Sequence, residues 1–362
     1  MNNRIVCVVV SVFVVLFLSS AFIQLARATE NTWTTDVLMP TARYDLGVAT
    51  VNGKIFAIGG HKPNVGVLGI NQEYDPVTAA WTTKNSMPTS RESFGIAVWQ
   101  GKIYIFGGLA QSGMTASTQV YDPATDSWTT KASSPTKRVY FSANVVNDKI
   151  YLIGGQTSPS NLLIDRNEVY DPVTDSWITK TPLPIPVSGY ASAIVDGKIY
   201  VLGGHGESGT TDLNQVYDPA ADAWSNKTRM PNGVEFAAAG ATSGVNATKM
   251  MYVFGGTSSS DLPTDHTMVY NPGNDTWITG EPMPTSRSHL AVGVLDERLF
   301  AIGGIASYAL GTNEEYTPIG YIPEFPSFLA LPLFVTAALL VSRVGKRRFS
   351  AWLKNPKKSS VA

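Results

Sequence analysis

Paired glycines recur six times through the middle of the chain, with a period near 48 residues. The pairs are Gly59-Gly60, Gly107-Gly108, Gly154-Gly155, Gly203-Gly204, Gly255-Gly256 and Gly303-Gly304. Each pair follows an apolar run that is typical of a β-strand, such as Lys102 to Phe106. Repeats of this length with this strand content are typical of a β-propeller, in which neighbouring units stack and share one core.

A second signal has constant spacing, because in five units a Trp follows a Tyr by seven residues. These pairs are Tyr74/Trp81, Tyr121/Trp128, Tyr170/Trp177, Tyr217/Trp224 and Tyr270/Trp277. The sixth unit has Tyr316 but carries Pro323 in place of the Trp, while Trp33 stands unpaired before the first unit. Trp33 precedes Gly60 by 27 residues, the same spacing as in four other units. We therefore expect the N-terminal strand to complete the last unit and close a ring, which removes an open sheet edge.

Each unit is predicted to form four short antiparallel strands. Strand two ends in the paired glycines, strand three ends in a Tyr-Asp-Pro turn, and strand four begins at the Trp. The double glycine, the Tyr-Asp-Pro turn and the Tyr-to-Trp spacing resemble the kelch repeat family over roughly Trp33 to Tyr321. The resemblance implies an all-β, six-bladed kelch-type β-propeller at residues 29–321, with its blades around a central channel.

The two ends of the chain predict export and membrane attachment. Arg4, the apolar run from Ile5 to Ile23 and the final Ala28 have the order of a secretory signal, so residues 1–28 are predicted to be a cleaved signal peptide. An uncleaved N-terminal anchor is the alternative. Residues 322–342 are predicted to be a linker and a transmembrane helix, because their 18 uncharged residues span roughly 27 Å as a helix. Residues 343–362 are predicted to be a basic cytoplasmic tail.

The segment Tyr321 to Ser327, with the apolar run and basic cluster that follow it, resembles the archaeal Pro-Glu-Phe type of C-terminal sorting signal. The resemblance implies an archaeal cell-surface protein whose tail is retained as an anchor or processed by an archaeosortase-like transpeptidase. The chain departs from that pattern by continuing 14 residues past Arg348. A retained single-pass anchor with the propeller outside the cell is therefore the prediction, and processing is the alternative.

Charge and cysteine content exclude several classes of function. The span from Glu30 to Glu324 holds all 28 acidic residues but only 18 of the 27 basic ones, a net charge of −10, which argues against a nucleic-acid partner. The single cysteine, Cys7, lies inside the predicted signal peptide. The exported domain would then have no disulfide, no Cys nucleophile and no Cys-crosslinked Tyr of the galactose-oxidase kind. We expect no cofactor, no metal and a monomeric propeller.

The predicted ligand site lies on the face that carries the loops between strands two and three. The distance from the second Gly to the Tyr varies between 12 and 15 residues, whereas the Tyr-to-Trp distance is fixed, and variable loops on a rigid scaffold are typical of a binding surface. Four units place an Arg on this face three residues after a Pro, at Arg43, Arg91, Arg138 and Arg287, and the other two have Val187 and Val234. In kelch domains that bind acidic peptides, arginines at this repeat position line the channel mouth.

That resemblance implies a basic, aromatic-lined site for an acidic protein or glycan ligand. The ring contacts are predicted to come from Tyr44, Tyr140, Tyr190, Phe236 and His289. The alternative is structural, with each Arg paired to an acidic residue such as Glu92, Glu235 or Asp45 of a neighbouring blade.

A five-residue insertion within Gly240 to Lys249 is expected to lengthen a loop of the fifth unit on the opposite face. Asn246 in this insertion, together with Asn226 and Asn274, fits the weak acceptor pattern for N-glycosylation.

The function favoured by the sequence is a non-enzymatic, cell-surface binding module. The four histidines, His61, His205, His266 and His289, fall in four different units without the spacing of metal ligands. The enzyme alternative is an exported sugar epimerase or mutarotase resembling the six-bladed sialic-acid epimerases, with Glu92 or Glu235 as acid and base. A structural role in a surface layer is the third possibility.

Overall fold

The computed structural model describes residues 29–157 and 162–323, and these fold into six four-stranded antiparallel sheets arranged as the blades of a propeller. The predictions for residues 1–28 and 324–362, including the signal peptide, the sorting segment and the basic tail, lie outside the described residues. No helix long and apolar enough to cross a membrane occurs in the described part of the chain.

The strands are numbered in chain order. The first is β1 (Thr32–Thr35). Blade one contains β2 (Gly47–Val51), β3 (Lys54–Ile58), β4 (His61–Lys62), β5 (Gly66–Val67), β6 (Asn71–Asp75) and β7 (Ala80–Lys84). Blade two contains β8 (Gly95–Trp99), β9 (Lys102–Phe106), β10 (Leu109–Ala110), β11 (Gly113–Met114), β12 (Thr118–Asp122) and β13 (Ser127–Lys131). Blade three contains β14 (Ser142–Val146), β15 (Lys149–Ile153), β16 (Gln156–Thr157), β17 (Leu162–Leu163), β18 (Asn167–Asp171) and β19 (Ser176–Lys180).

Blade four contains β20 (Ala191–Val195), β21 (Lys198–Leu202), β22 (His205–Gly206), β23 (Gly209–Thr210), β24 (Asn214–Asp218) and β25 (Ala223–Asn226). Blade five contains β26 (Ala238–Ala241), β27 (Met251–Phe254), β28 (Thr267–Asn271) and β29 (Thr276–Thr279). Blade six contains β30 (Ala291–Leu295), β31 (Arg298–Ile302) and β32 (Asn313–Thr317). The two-residue strands form small hairpins in the strand two-to-three loops of blades one to four.

The first strand of each blade lines the channel, and each of these inner strands packs against the inner strand of the next blade, with β30 packing against β2. Behind them, the second strands are almost wholly buried apolar runs such as Ile55 to Ile58. The hydrophobic core therefore lies between neighbouring blades, where side chains from two sheets interlock.

The paired glycines permit a contact between blades that a side chain would block. Gly59 and Gly60 both have positive φ, and the amide of Gly60 donates to the carbonyl of Arg91 in the next blade at 2.9 Å. A Cβ at Gly59 would lie 2.6 Å from that same carbonyl oxygen. The paired glycines thus lie where the backbones of consecutive blades are joined by a hydrogen bond.

The predicted ring closure is confirmed. Strand β1 pairs antiparallel with β32, with Trp33 opposite Tyr316, and so forms the outer strand of blade six. The Trp33 and Tyr316 rings are 5.0 Å apart, and the other five Tyr/Trp pairs lie between 4.8 and 5.0 Å. The six-bladed propeller and its all-β class are likewise as predicted.

The N-terminal segment also supplies a polar contact that the repeat pattern did not reveal. In blades two to five the Tyr hydroxyl donates to an Asp five residues later, as Tyr121 does to Asp126 at 2.7 Å. In blade six Tyr316 donates instead to Asn31 Oδ1 at 2.5 Å. Asn31 has φ 55° and Asp126 has φ 48°, so the same left-handed turn is built from opposite ends of the chain.

Candidate functional site

Six residues with a left-handed backbone form a circle at one end of the channel, which we call the mouth ring. They are Asp45, Ser93, Tyr140, Gly189, Phe236 and His289, with φ between 54° and 59°. Each amide donates to the carbonyl of the equivalent residue in the preceding blade, at 2.6 to 3.0 Å, and the amide of Asp45 donates to His289 to complete the circle. The backbone of the mouth ring is therefore satisfied internally, which leaves its side chains to interact with a ligand.

Three aromatic side chains of the mouth ring converge over the channel. The Phe236 and His289 rings stack with centroids 3.9 Å apart, and the Tyr140 ring lies 5.1 Å from Phe236 and 6.4 Å from His289. Tyr140 reaches Phe236 across Gly189, where a Cβ would lie 2.7 Å from the Phe236 ring. The absence of a side chain at residue 189 thus makes the aromatic cluster possible.

Histidine and carboxylate side chains of consecutive blades pair around this ring. His289 Nδ1 lies 2.8 Å from Asp45 Oδ1, His61 Nδ1 lies 2.6 Å from Glu92 Oε2, and His205 Nδ1 lies 2.7 Å from Glu235 Oε2. His61 and His205 each follow a glycine pair, and Glu92 and Glu235 each precede a ring residue, so the register of the repeat brings them together. With the mouth ring, these pairs and Tyr44 make up the channel mouth.

The Asp45–His289 and Glu92–His61 pairs are close enough to influence each other electrostatically. Burial raises the pKa of Glu92, the nearby Asp45 carboxylate raises it further, and the contact with His61 opposes both effects. Tyr44 lies beside this cluster, with its ring 5.2 Å from His61 and 5.9 Å from His289. Burial, together with the charges of Asp45 and Glu92, raises the pKa of the Tyr44 phenol, so its hydroxyl stays protonated at neutral pH.

A cavity of about 250 Å³ is lined by all six residues of the mouth ring and extends into the channel. Asn144 lines it deeper down; this side chain is only 5% exposed and accepts a hydrogen bond from Ser192 Oγ at 2.9 Å. Asn144 Nδ2 has no partner among the described residues. Beyond it a second cavity of about 350 Å³ is lined mainly by apolar residues such as Val48, Val98 and Val294.

The four arginines lie elsewhere, and the expectation that they face the channel is corrected. Arg43, Arg91, Arg138 and Arg287 are 0% exposed, because each side chain turns into its own blade. Arg138 binds Glu168 at 2.7 Å and the carbonyls of Leu152, Gly154 and Arg166. Arg91 donates to the carbonyls of Gly107 and Ser117. They are structural groups, as in the alternative, but their partners lie within the same blade.

The residue at the Arg position of a blade is related to the residue two positions before the Tyr of that blade, which we call the opposite residue. Arg43 donates to Gln72 at 2.6 Å and Arg287 donates to Glu314 at 2.5 Å. In blade five, Val234 occupies the Arg position and the residue opposite is Met268, in the same apolar cluster. In blade four, Val187 stands opposite Gln215, which turns away to bond the backbone of Ile185. Burial lowers the pKa of Arg43 and of Arg91 to about 10, which still leaves both charged at neutral pH.

The other predicted site residues divide between the mouth and the core. Tyr44, Tyr140, Phe236 and His289 lie at the mouth, as described. Tyr190 also borders the cavity, but it is buried and its hydroxyl donates to the carbonyl of Ile153 at 2.5 Å while accepting from the amide of Ser142. Asn226 and Asn274 are exposed on strand ends and turns, and Asn246 is half-buried in the insertion. No cluster of metal-ligating side chains occurs in the described ranges.

Sequence reasoning missed the contribution of Asp45, His61 and His205 to the mouth. The spacing of His61 and His205 argued against metal ligation and predicted no other role for them, although both follow a glycine pair directly. The usable signal was positional, because Glu92 and Glu235 precede the ring residue in the blade that follows each of these histidines.

Comparison with known proteins agrees with this architecture. A profile of the KLHDC2/KLHL20/DRC7 Kelch-repeats domain matches the chain in two overlapping segments, residues 22–182 and 129–304. The fold is similar to a solved structure of YjhT, with a TM-score of 0.66 at 17% sequence identity, over 76% of this chain and 95% of that chain. At this identity the likeness shows the fold alone. The comparison with curated proteins gives no match.

Proposed function

The chain belongs to the kelch-repeat domain family, and from that membership we propose that its propeller is a non-enzymatic binding module whose protein or glycan ligand sits at the channel mouth. A kelch propeller suggests a protein-interaction module. The proposal includes display at the cell surface, supported by the secretory pattern of residues 1–28 and the apolar segment near the C-terminus.

The observation that carries the proposal is the channel mouth itself. Its backbone is fixed by a closed circle of hydrogen bonds, while its side chains combine stacked rings with carboxylates and imidazoles. Aromatic surfaces and a few convergent polar groups on a rigid scaffold are what recognition sites require. A cavity of about 250 Å³ is small for a drug-sized molecule, so it suits one side chain or one sugar ring of a larger ligand.

Exposed apolar side chains on the same face favour a protein ligand. Val65, Leu162, Leu262 and Tyr308 stand on the strand two-to-three loops of four blades, each more than half exposed. Apolar groups at such positions gain free energy when a partner removes them from water.

The ends of the propeller are compatible with display of the mouth. Thr32 pairs with Thr317, and the amide of Gly320 donates to Glu30, so both ends of the described domain leave from one face. This face carries the strand three-to-four turns, opposite the mouth.

The test is an array of glycans and peptides probed with the full chain in detergent micelles. We expect binding that is lost in Tyr44→Ala and retained in Val245→Ala, a matched apolar truncation on the exposed insertion of the opposite face. Binding that survives Tyr44→Ala but is lost in Val245→Ala would contradict a site at the mouth. The absence of any bound probe would favour a structural role in a surface layer.

A sugar epimerase or mutarotase is a second candidate, and the Glu92 environment supports it. A buried carboxyl with a raised pKa, 2.6 Å from an imidazole, is suited to general acid and base chemistry. The test is NMR of anomer and epimer interconversion for a panel of sugars, with Glu92→Gln and Glu235→Gln beside the wild type. Rates equal to those of the buffer in the wild type would remove this candidate.

A further inference from the structure

We propose that the ligand of the channel mouth is a basic peptide segment, whose Lys or Arg side chain sits against Asp45 and Glu92. This inference rests on the proposed binding function and names its ligand class. It reverses the acidic ligand expected from the sequence, because the arginines that suggested such a ligand are buried and hydrogen-bonded within their own blades.

Both carboxylates have an oxygen to offer. Each uses one oxygen for its histidine, Asp45 through Oδ1 and Glu92 through Oε2. Asp45 Oδ2 and Glu92 Oε1 make no hydrogen bond among the described residues. The two side chains are 9% and 11% exposed, so an incoming ammonium or guanidinium group would meet partly desolvated carboxylates. Charged hydrogen bonds in such surroundings are stronger than those in open water.

Among the described residues, none that lines the mouth cavity is Lys or Arg. The pKa of Glu92 is raised by burial and by Asp45, which is the behaviour of carboxylates that lack a permanent positive partner. A cationic ligand would remove this repulsion on binding.

The aromatic side chains complete a seat for a cation. Tyr44 lies between His61 and His289, and Tyr140 and Phe236 stand on the far side of His289. Ring faces attract ammonium and guanidinium groups, and they also cover the methylene chain of a long basic side chain.

A second and independent feature points to a ligand in the same cavity. Asn144 lines the cavity together with Asp45 and His289, and only 5% of its surface is exposed. Its Nδ2 atom has no hydrogen-bond partner among the described residues. A buried donor left without an acceptor is costly. Backbone carbonyls of a peptide are acceptors of the required kind, and the apolar loop tips around the mouth suit the flanking residues of such a segment.

The test uses three fluorescent pentapeptides, acetylated and amidated, with Lys, Gln or Glu between the same Gly and Ala neighbours. Fluorescence anisotropy measures their binding to the full chain at low salt. We expect the Lys peptide to bind at least about tenfold more tightly than the other two, since one charged hydrogen bond contributes this much. The double variant Asp45→Asn/Glu92→Gln keeps the acceptor oxygens for the histidines and is expected to lose that preference.

Asp196→Asn/Glu297→Gln is the matched control, because it removes the same two negative charges from strand one-to-two turns on the face opposite the mouth, where Asp196 pairs with Lys249 and Glu297 accepts from the amide of Ser243. It is expected to keep the preference for Lys, with circular dichroism melts showing that all variants fold. Tighter binding of the Glu peptide, or a Lys preference that survives in the double variant, would overturn the inference and leave the binding function standing. Binding of a glucosamine oligosaccharide at the mouth, without binding of the Lys peptide, would also overturn the inference and leave the binding function standing. If no peptide or glycan binds, both proposals fall.

Discussion

Arg138 and Glu168 form an ion pair of 2.7 Å inside blade three, with side-chain exposures of 0% and 2%. Thr136 donates to the second carboxylate oxygen of Glu168 at 2.5 Å, so the carboxylate is satisfied on both sides. Removal of one partner from such a pair is strongly destabilising, because the remaining charge would be buried without a partner.

Removal of the arginine alone is therefore expected to be severe. Arg138→Val should lower the free energy of unfolding by about 3 to 5 kcal/mol, since it strands the charge of Glu168. The double variant Arg138→Val/Glu168→Met copies the Val234 and Met268 pair of blade five and should recover most of that loss. Chemical denaturation of the two variants checks this, and a double variant no more stable than the single one would contradict it.

A gain of stability is expected in blade one. Ala79 occupies the left-handed turn position that Asp or Asn occupies in the other blades, with φ 51°. Ala79→Asn should raise the free energy of unfolding by about 0.5 kcal/mol, because Asn tolerates this left-handed conformation better than Ala. The Tyr74 hydroxyl already bonds Asp36, so the gain comes from the backbone conformation. The control is Ala221→Asn in the equivalent turn of blade four, beside a complete Asp contact, where no gain is expected in a thermal melt.

Ring closure predicts equal costs at two distant positions. The Trp33 indole donates to the carbonyl of Glu281 at 2.9 Å, and the Trp128 indole donates to that of Asn85 at 2.9 Å. Since each indole also packs against a Tyr ring at a centroid distance of 5.0 Å, Trp33→Ala and Trp128→Ala should each lower the free energy of unfolding by about 2 to 3 kcal/mol in chemical denaturation. A negligible cost at Trp33 would mean that β1 contributes little to the closed ring.

Acid sensitivity is expected from the turn aspartates. The hydroxyl of Tyr217 and the amide of Thr181 donate to Asp222 and lower its pKa to about 2. A folded pKa below the unfolded value of 3.8 stabilises the protein above that value, and the benefit is lost as the pH falls toward 2. Asp222→Asn should therefore lower the Tm at pH 7, and its difference from the wild type should shrink between pH 4 and pH 2. Asp261→Asn, on an exposed loop, serves as the control and should leave the Tm unchanged at each pH.

The repeat made the blades predictable, because the spacing of Gly, Tyr and Trp is set by contacts that recur in every blade. Trp33 could be assigned to blade six from its distance to Gly60 alone. The direction of the arginine side chains could not be predicted in this way. Their position after a Pro is the same for either direction. The inward direction is set by contacts inside the blade, which are backbone carbonyls for Arg91 and also the side chain two residues before the Tyr, such as Glu168 or Glu314, in other blades.

The candidate site was predictable in part for a similar reason. Tyr44, Tyr140, Phe236 and His289 were found because they lie within three residues of the arginine positions, which are indeed next to the mouth. The roles of Asp45 and His61 at the mouth were not predicted, because they come from contacts between two blades, one of them between residues 244 positions apart.

The pairing of Thr32 with Thr317 at the same end of β1 and β32 has a mechanical consequence. A force that pulled the two ends of the propeller apart would load the hydrogen bonds of this strand pair one after another, as a zipper opens, rather than all together in shear. A force applied through one end alone would not stretch the pair against itself. The fold is thus better suited to hold a load from a single tether than to transmit tension between two.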